Sequence, residues 1–308
     1  MKSAKRRILL ALLLITLLVM SGCAQEEDNQ QDSVSLVIKD MSGAEISLEG
    51  PAERIVALTA ADCEIIYALG AGDSLVGRGE YCDYPEEVLD VAVVQSGSNT
   101  NIEEIIALEP QVVIMSMMAQ TNEQIEALKN AGIKVVISDA QDIEGVYTAI
   151  ELIGKVVGKD EQAEQLIAEM KNEIAEISEK VEGLEKDKTV YFEVSPLEYG
   201  LWTAGNGTFI DELSNILGVH NIFTDVNGWA EISQEQIIQR NPDYIVSVVM
   251  YFGEDQRPED EILARAGWQE ITAVKNKDVL LADSDAISRP GPRLIEALSN
   301  LYDFFYHD

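Results

Sequence analysis

The chain has 308 residues, with 22 Lys and Arg against 55 Asp and Glu, a formal net charge of −33, and 46 % of its residues are apolar. That composition is globular, and the length suffices for two domains that each bury a core. The charge excludes nucleic acid and an anionic lipid surface as partners of a basic face, and only two histidines, His220 and His307, exclude a three-histidine zinc site and most histidine-based catalysis.

Lys2, Lys5, Arg6 and Arg7 precede an apolar run from Ile8 to Met20, too short to cross a bilayer as a mature helix. Residues 1–22 therefore read as a secretory signal. Residues 19–23, VMSGC, resemble the bacterial lipobox, with Met20 where leucine is commoner. The resemblance implies a lipid on Cys23, which would hold the protein at the outer face of the cytoplasmic membrane. The polar stretch that follows, AQEEDNQQDS, has no apolar period, and 23–33 reads as a flexible tether.

A first α/β lobe is expected over 34–142. Val34 to Leu48 alternates around Ser42-Gly43 and predicts a hairpin. Arg54–Leu58, Leu75–Gly77, Gln111–Ser116 and Lys134–Ser138 read as buried strands. Glu64–Leu69, stopped by Gly70, and Asn122–Asn130 read as helices. Strands alternating with helices predict parallel pairing with helices on both faces. Cys63 and Cys82 each follow a strand at one sheet edge, which allows a disulfide, although two buried free thiols fit better.

A helical connector is expected over 143–187. Ile143, Val146, Tyr147, Ile150 and Ile153 share one face. Beyond Gly158, Asp160 is placed to cap a second helix of about 35 Å with an apolar stripe from Leu166 to Val181. The stripe lacks strict heptads, so packing within the chain is expected rather than a coiled coil. A second α/β lobe is expected over 188–308, with strands Thr189–Val194, Tyr244–Met250 and Val279–Leu281. Its expected helices are Ile210–Leu217, Gln234–Gln239 and one from Arg293 onward.

A repeat links the lobes. NIEEIIALEP (101–110) and SQEQIIQRNP (233–242) share the frame [N/S]-x-E-x-I-I-x-x-x-P, each followed by an apolar strand. Asn101 with Glu104, and Ser233 with Gln236, have capping-box spacing, and the isoleucine pairs are expected to face the core. Glu103 and Glu235 remain as acids in the first turn, a place the helix dipole favours. CEIIYALG (63–70) and DELSNILG (211–218) form a second matched pair. Two similar lobes, each offering one acid, suit a two-fold symmetric cationic partner.

The chain resembles the substrate-binding proteins of bacterial ABC importers for corrinoids, haem and ferric siderophores. The likeness runs from about Arg54 to the C-terminus, through RIVALTAADCEIIYALGAGDSLVG (54–77), EYCDYPEEV (80–88), NIEEIIALEP, LWTAGNGTFIDEL (201–213), NGWAEISQEQ (227–236) and SRPGPRL (288–294). It implies the class III fold, two Rossmann-like lobes joined by a long rigid helix. It also implies a permease dimer with ATPase subunits as partners, docked through Glu103 and Glu235, and a monomeric binding protein without a cofactor or metal of its own.

E-Y-C-D-Y-P and the C-terminal D-x-x-x-R bring the likeness nearest to the cobalamin-binding branch. There the matching positions would hold ligand between the lobes: Tyr81, Trp202, Trp229, Asp285 and Arg289. Aromatic faces suit a wide corrin, and Asp285 and Arg289 suit its amide rim. Both tryptophans are expected outside regular strands, beside turn-rich segments. Where cobalamin binders place tryptophans in the first lobe, this chain has Gly97 and Ser116, and Met115, Met117 and Met118 could fill that wall. A siderophore or haem carrier, the alternative ligand reading, would line its cleft with several cations; here Arg289 and Arg78 are the candidates. An extracellular enzyme is disfavoured: His220 is expected in a loop, G-x-S-x-G and the P-loop are absent, and Gly205-Asn206-Gly207 is a weak phosphate motif.

Overall fold

A computed structural model describes residues 36–117, 122–184, 187–251 and 256–306. The expected signal 1–22, Cys23 with its tether, Met118 and His307 lie outside the described residues.

Strands β1 (Leu36–Lys39) and β2 (Glu45–Leu48) form the expected antiparallel hairpin, with Ile38, Ile46 and Leu48 turned inward. Asp40 holds the turn. One carboxylate oxygen accepts from the Ser42 and Ala44 amides, and the other accepts from the Ile137 amide, tying the hairpin to the first sheet.

That sheet comprises β3 (Ile55–Ala57), β4 (Leu75–Gly79), β5 (Val93–Val94), β6 (Val112–Met115) and β7 (Lys134–Ile137). All are parallel, in the order β5-β4-β3-β6-β7. IVA and VVIM are buried along their whole length, as strands covered by helices on both faces must be. The second half contributes β8 (Thr189–Glu193), β9 (Leu201–Ala204), β10 (His220–Asn221), β11 (Trp229–Ile232), β12 (Tyr244–Ser247) and β13 (Val279–Leu281). Four of these make a parallel sheet ordered β10-β8-β12-β13, and β9 pairs with β11 as a separate antiparallel ribbon.

The two halves repeat one plan. In each, a threonine caps the helix after the first sheet strand. Thr59 accepts from the Asp62 amide ahead of helix Ala60–Ala68, and Thr208 accepts from the Asp211 amide ahead of Phe209–Ile216. Asp62 and Asp211 are both buried, and both helices run into a left-handed glycine, Gly70 or Gly218. Matched from the caps, Asp62 pairs with Asp211; matched from the glycines, Cys63 does, because the first helix is one residue longer.

Between the sheets run helices Ile143–Val157 and Asp160–Val181. They break at Gly158, where φ is +67° and a Cβ would lie 2.7 Å from Pro51 Cγ. The first packs on helix Ala60–Ala68 and the hairpin, the second on Phe209–Ile216 and the terminal helix Leu294–Tyr306. One apolar core passes through all of it, from Ile55 and Ile114 through Ile150 and Met170 to Leu213 and Phe305. Full burial of each such side chain contributes about 1.5–3 kcal/mol, so the halves share their main stabilising term.

Several expectations are corrected. Asp160 is the first residue of its helix; Lys159 stands at the cap and makes no side-chain bond there. The paired isoleucines do not both face the core. Ile105 and Ile237 are fully buried, whereas Ile106 and Ile238 are 41 % and 42 % exposed, since neighbours on a helix point about 100° apart. His220 lies in strand β10 rather than a loop. Cys63 and Cys82, by contrast, are buried free thiols as expected.

Candidate functional site

In a parallel α/β sheet, a crevice opens beyond the carboxyl ends of the strands where the strand order reverses. Here that point lies between β3 and β6 in the first sheet and between β8 and β12 in the second. Each has a concavity. The first is a cavity of about 290 Å³, floored by Thr59 and Asp62 after β3, Ser116 after β6, and Ser138 and Asp139 after β7. Phe209, Trp229, Arg289 and Pro290 of the second lobe close it. The second is a recess of about 750 Å³ over Glu193, walled by Leu197, Tyr199, Met250 and Tyr251.

The first cavity is acidic and rich in hydroxyls. Burial pushes the Asp62 carboxyl up from 3.8 to about 6; hydrogen bonds from Thr59 and Ser138 pull the other way, and the charge of Asp139 adds to the rise. The Ser116 hydroxyl donates to Asp139 Oδ1 at 2.6 Å. In the second recess, Glu193 is clamped by Arg265 through two bonds of 2.7 and 2.9 Å. Burial raises its pKa despite that pair.

Of the residues proposed from sequence, Trp229 and Arg289 line the first cavity, whereas Tyr81, Trp202 and Asp285 do not. Trp202 and Trp229 are not in loops: they lie on β9 and β11, where Trp229 pairs with Ala204 and Trp202 with Glu231. Alternation along the strands puts Trp202, Ala204, Trp229 and Glu231 on one face of the ribbon, with the indoles as diagonal neighbours. Both indoles are open to solvent, at 39 % and 37 %, and Trp229 meets Phe209 edge-on at 5.7 Å. The ribbon is able to form because Gly205 has no Cβ; one there would lie 2.3 Å from the Val226 carbonyl oxygen.

Arg289 is fully engaged. Its Nη1 meets Glu64 Oε1 at 3.0 Å and Asp83 Oδ1 at 2.7 Å, and its Nη2 meets Asp285 Oδ1 at 2.8 Å. The same Nη2 donates to the Tyr81 carbonyl at 3.3 Å, leaving the Tyr81 ring exposed. Burial works against the charge of Arg289, but these carboxylates outweigh it and hold its pKa above the usual value. Arg78 is not a cleft cation: it is buried and donates to the Cys82 carbonyl at 2.7 Å, holding the loop that carries Tyr81. Met115 is no wall residue either, because strand β6 buries it completely; Met117 is exposed. Gly97 opens a short turn at φ +78°.

Glu103 and Glu235 are both exposed in the first turns of helices Ile102–Ala107 and Gln234–Arg240. Ser233 and Gln236 form a complete capping box. Asn101 caps its helix, but Glu104 turns to the Gln95 amide instead of closing a box. Asp62, Asp139, Phe209, Tyr199 and Met250 were missed from sequence. Asp62, Asp139, Tyr199 and Met250 all follow the carboxyl ends of strands β3, β7, β8 and β12, which is the signal that could have found them. Among the described residues, no group of three or more His, Cys, Asp or Glu is arranged to hold a metal ion, and no helix is long and apolar enough to cross a membrane.

Residues 55–286 match the family model described as periplasmic binding protein. The chain belongs to that family. It is 36 % identical, over 99 % of its length and 98 % of the relative's, to an uncharacterised ABC transporter substrate-binding lipoprotein of Bacillus subtilis. It is 30 % identical to a vitamin B12-binding protein of Vibrio campbellii, over 89 % of this chain and 95 % of that one. A solved structure, of a possible iron-binding (periplasmic solute-binding) protein from Staphylococcus epidermidis, superposes with a TM-score of 0.72 at 33 % identity, covering 83 % of this chain and 99 % of that one. This binding protein is therefore an extracytoplasmic solute-binding protein of the ABC importer type.

Proposed function

We propose that this binding protein captures a corrinoid of the cobalamin type between its lobes and delivers it to the permease. The observation that carries the reading is the state of Arg289. Among the described residues it is the one cation lining the first cavity, and three carboxylates neutralise it. Among the described residues no cation lines the second recess. Haem propionates and anionic siderophores would meet Asp62 and Asp139, and among the described residues lining the cavity no free positive charge offsets them. A corrinoid edge offers neutral amides instead, whose N–H groups suit carboxylate and hydroxyl acceptors. The cavity is just below the ~300–1,000 Å³ usual for a whole small molecule, so it seats one edge while Trp229, Trp202 and Tyr81 cover an apolar face. The B12-binding relative supports the same class.

In this reading the lipid on Cys23 anchors the protein, and Glu103 and Glu235 meet cations on the two permease subunits. Asp285 positions Arg289 rather than touching ligand. The second reading is haem, favoured by Tyr199, Met250 and Tyr251, since phenolate and thioether are iron-ligand types. Against it, Glu198 holds the Tyr199 phenol above its usual pKa and disfavours phenolate. The test is gel filtration of the chain from Ala24 with cyanocobalamin, hemin or ferric siderophores. Co-elution of corrinoid colour is expected; co-elution of hemin or a siderophore alone would replace the proposal.

A further inference from the structure

Two surface features recur in register. Helices Ile102–Ala107 and Gln234–Arg240 occupy equivalent places, each leading into the strand just beyond its sheet's switch point, β6 or β12. In both, a side-chain cap accepts the amide of the third helical residue, the second residue is an exposed glutamate, and the fourth residue is a fully buried isoleucine. The fifth residue is an isoleucine at almost the same exposure, Ile106 at 41 % and Ile238 at 42 %. Three residues apart, Glu103 and Ile106 share a helix face, as do Glu235 and Ile238. Among the described residues neither glutamate has an ion-pair partner.

A single exposed isoleucine is unremarkable. The same β-branched residue, turned to solvent beside the same unpaired acid in both repeats, is not explained by the core or by capping. We infer that Ile106 and Ile238 are matched apolar docking points that flank the acidic ones, and that their occupant is the two-fold pair of permease subunits. This rests on the docking reading of Glu103 and Glu235. Two equivalent patches fit a partner with two equal sites, each offering a cation beside an apolar recess. The isoleucine side chain shields the carboxylate–cation pair from water, which strengthens the pair and slows dissociation.

The experiment measures binding of the full chain, loaded with cyanocobalamin, to its host's purified permease–ATPase complex in lipid nanodiscs, at low and high salt. The double variant Ile106→Gln with Ile238→Gln is expected to weaken binding about 10- to 100-fold, mainly through faster dissociation, with each single variant giving a comparable part. Its salt dependence should persist, whereas Glu103→Gln with Glu235→Gln should flatten it; circular dichroism and cyanocobalamin affinity control for the fold of the isoleucine variants. If the isoleucine variants bind as the parent does while the glutamate variants fail, this inference falls and the docking reading stands. If the glutamate variants bind normally, both fall. If the isoleucine changes instead convert a dimer of this chain to a monomer in sedimentation, the patch serves self-association and the inference is overturned.

Discussion

Glu64 on the first lobe meets Arg289 on the second at 3.0 Å, with the Glu64 side chain only 2 % exposed. Arg293, also on the second lobe, grips both oxygens of the same carboxylate at 3.0 Å and lies 4.2 Å from the centre of the Tyr84 ring. One buried acid thus holds two arginines across the junction beside the candidate ligand cavity.

Removing that acid leaves Arg293 without its nearest carboxylate and Arg289 with only Asp83 and Asp285. Glu64→Ala is expected to destabilise the protein by about 3–5 kcal/mol, as breaking a buried pair does. Urea unfolding measures it. A loss below about 1 kcal/mol would mean that the junction does not depend on this ion cluster.

Asp62 gives a pH signature. Its carboxyl titrates near 6 when folded against 3.8 in the unfolded chain, so the stability it contributes is complete below about pH 4 and is lost as pH rises through 6. Asp62→Asn carries no charge in either state. Its stability relative to the parent is expected to improve by about 2–3 kcal/mol between pH 4 and pH 7. A difference that stays flat across this window would contradict the buried, proton-holding Asp62.

Tryptophans on one ribbon should act together on ligand and little on folding. Trp229→Ala and Trp202→Ala are each expected to weaken cyanocobalamin binding by about 1–2 kcal/mol, or roughly 5- to 30-fold, with Trp229 the larger because it lines the cavity. Trp268 is fully buried against Tyr191, at 6.4 Å between ring centres, and its replacement by Ala should instead cost about 3–5 kcal/mol of stability. Titration calorimetry and urea unfolding on the three variants separate the two behaviours.

Charge neutralisation at Arg289 should set which ligands are refused. Asp83→Asn with Asp285→Asn frees one face of the guanidinium while Glu64 still holds it in place. Hemin affinity is expected to rise about tenfold or more and cyanocobalamin affinity to change less. Spectrophotometric titration checks both; unchanged hemin affinity would remove charge as the discriminating device.

The parallel sheets were legible because IVA, VVIM and YIVS are short apolar runs between turn signals, and that pattern depends on local sequence alone. The repeat around Glu103 and Glu235 was legible because capping chemistry is local too. The ribbon of β9 and β11 was not: LWTA lies between Gly200 and Gly205, WAEI follows Gly228, each is only four residues long, and they pair across more than twenty residues of chain. Arg289 shows the same limit. Its partners Glu64 and Asp83 are over 200 residues away in sequence, so the compensation of its charge could be seen only in the fold.

The most direct measurement is calorimetric titration of the chain from Ala24, in parallel, with cyanocobalamin, hemin and a ferric siderophore at physiological salt. Saturable one-to-one binding of cyanocobalamin, at least a hundredfold tighter than either iron ligand, is the expected result. Tight hemin or siderophore binding with no heat from cyanocobalamin would contradict corrinoid capture.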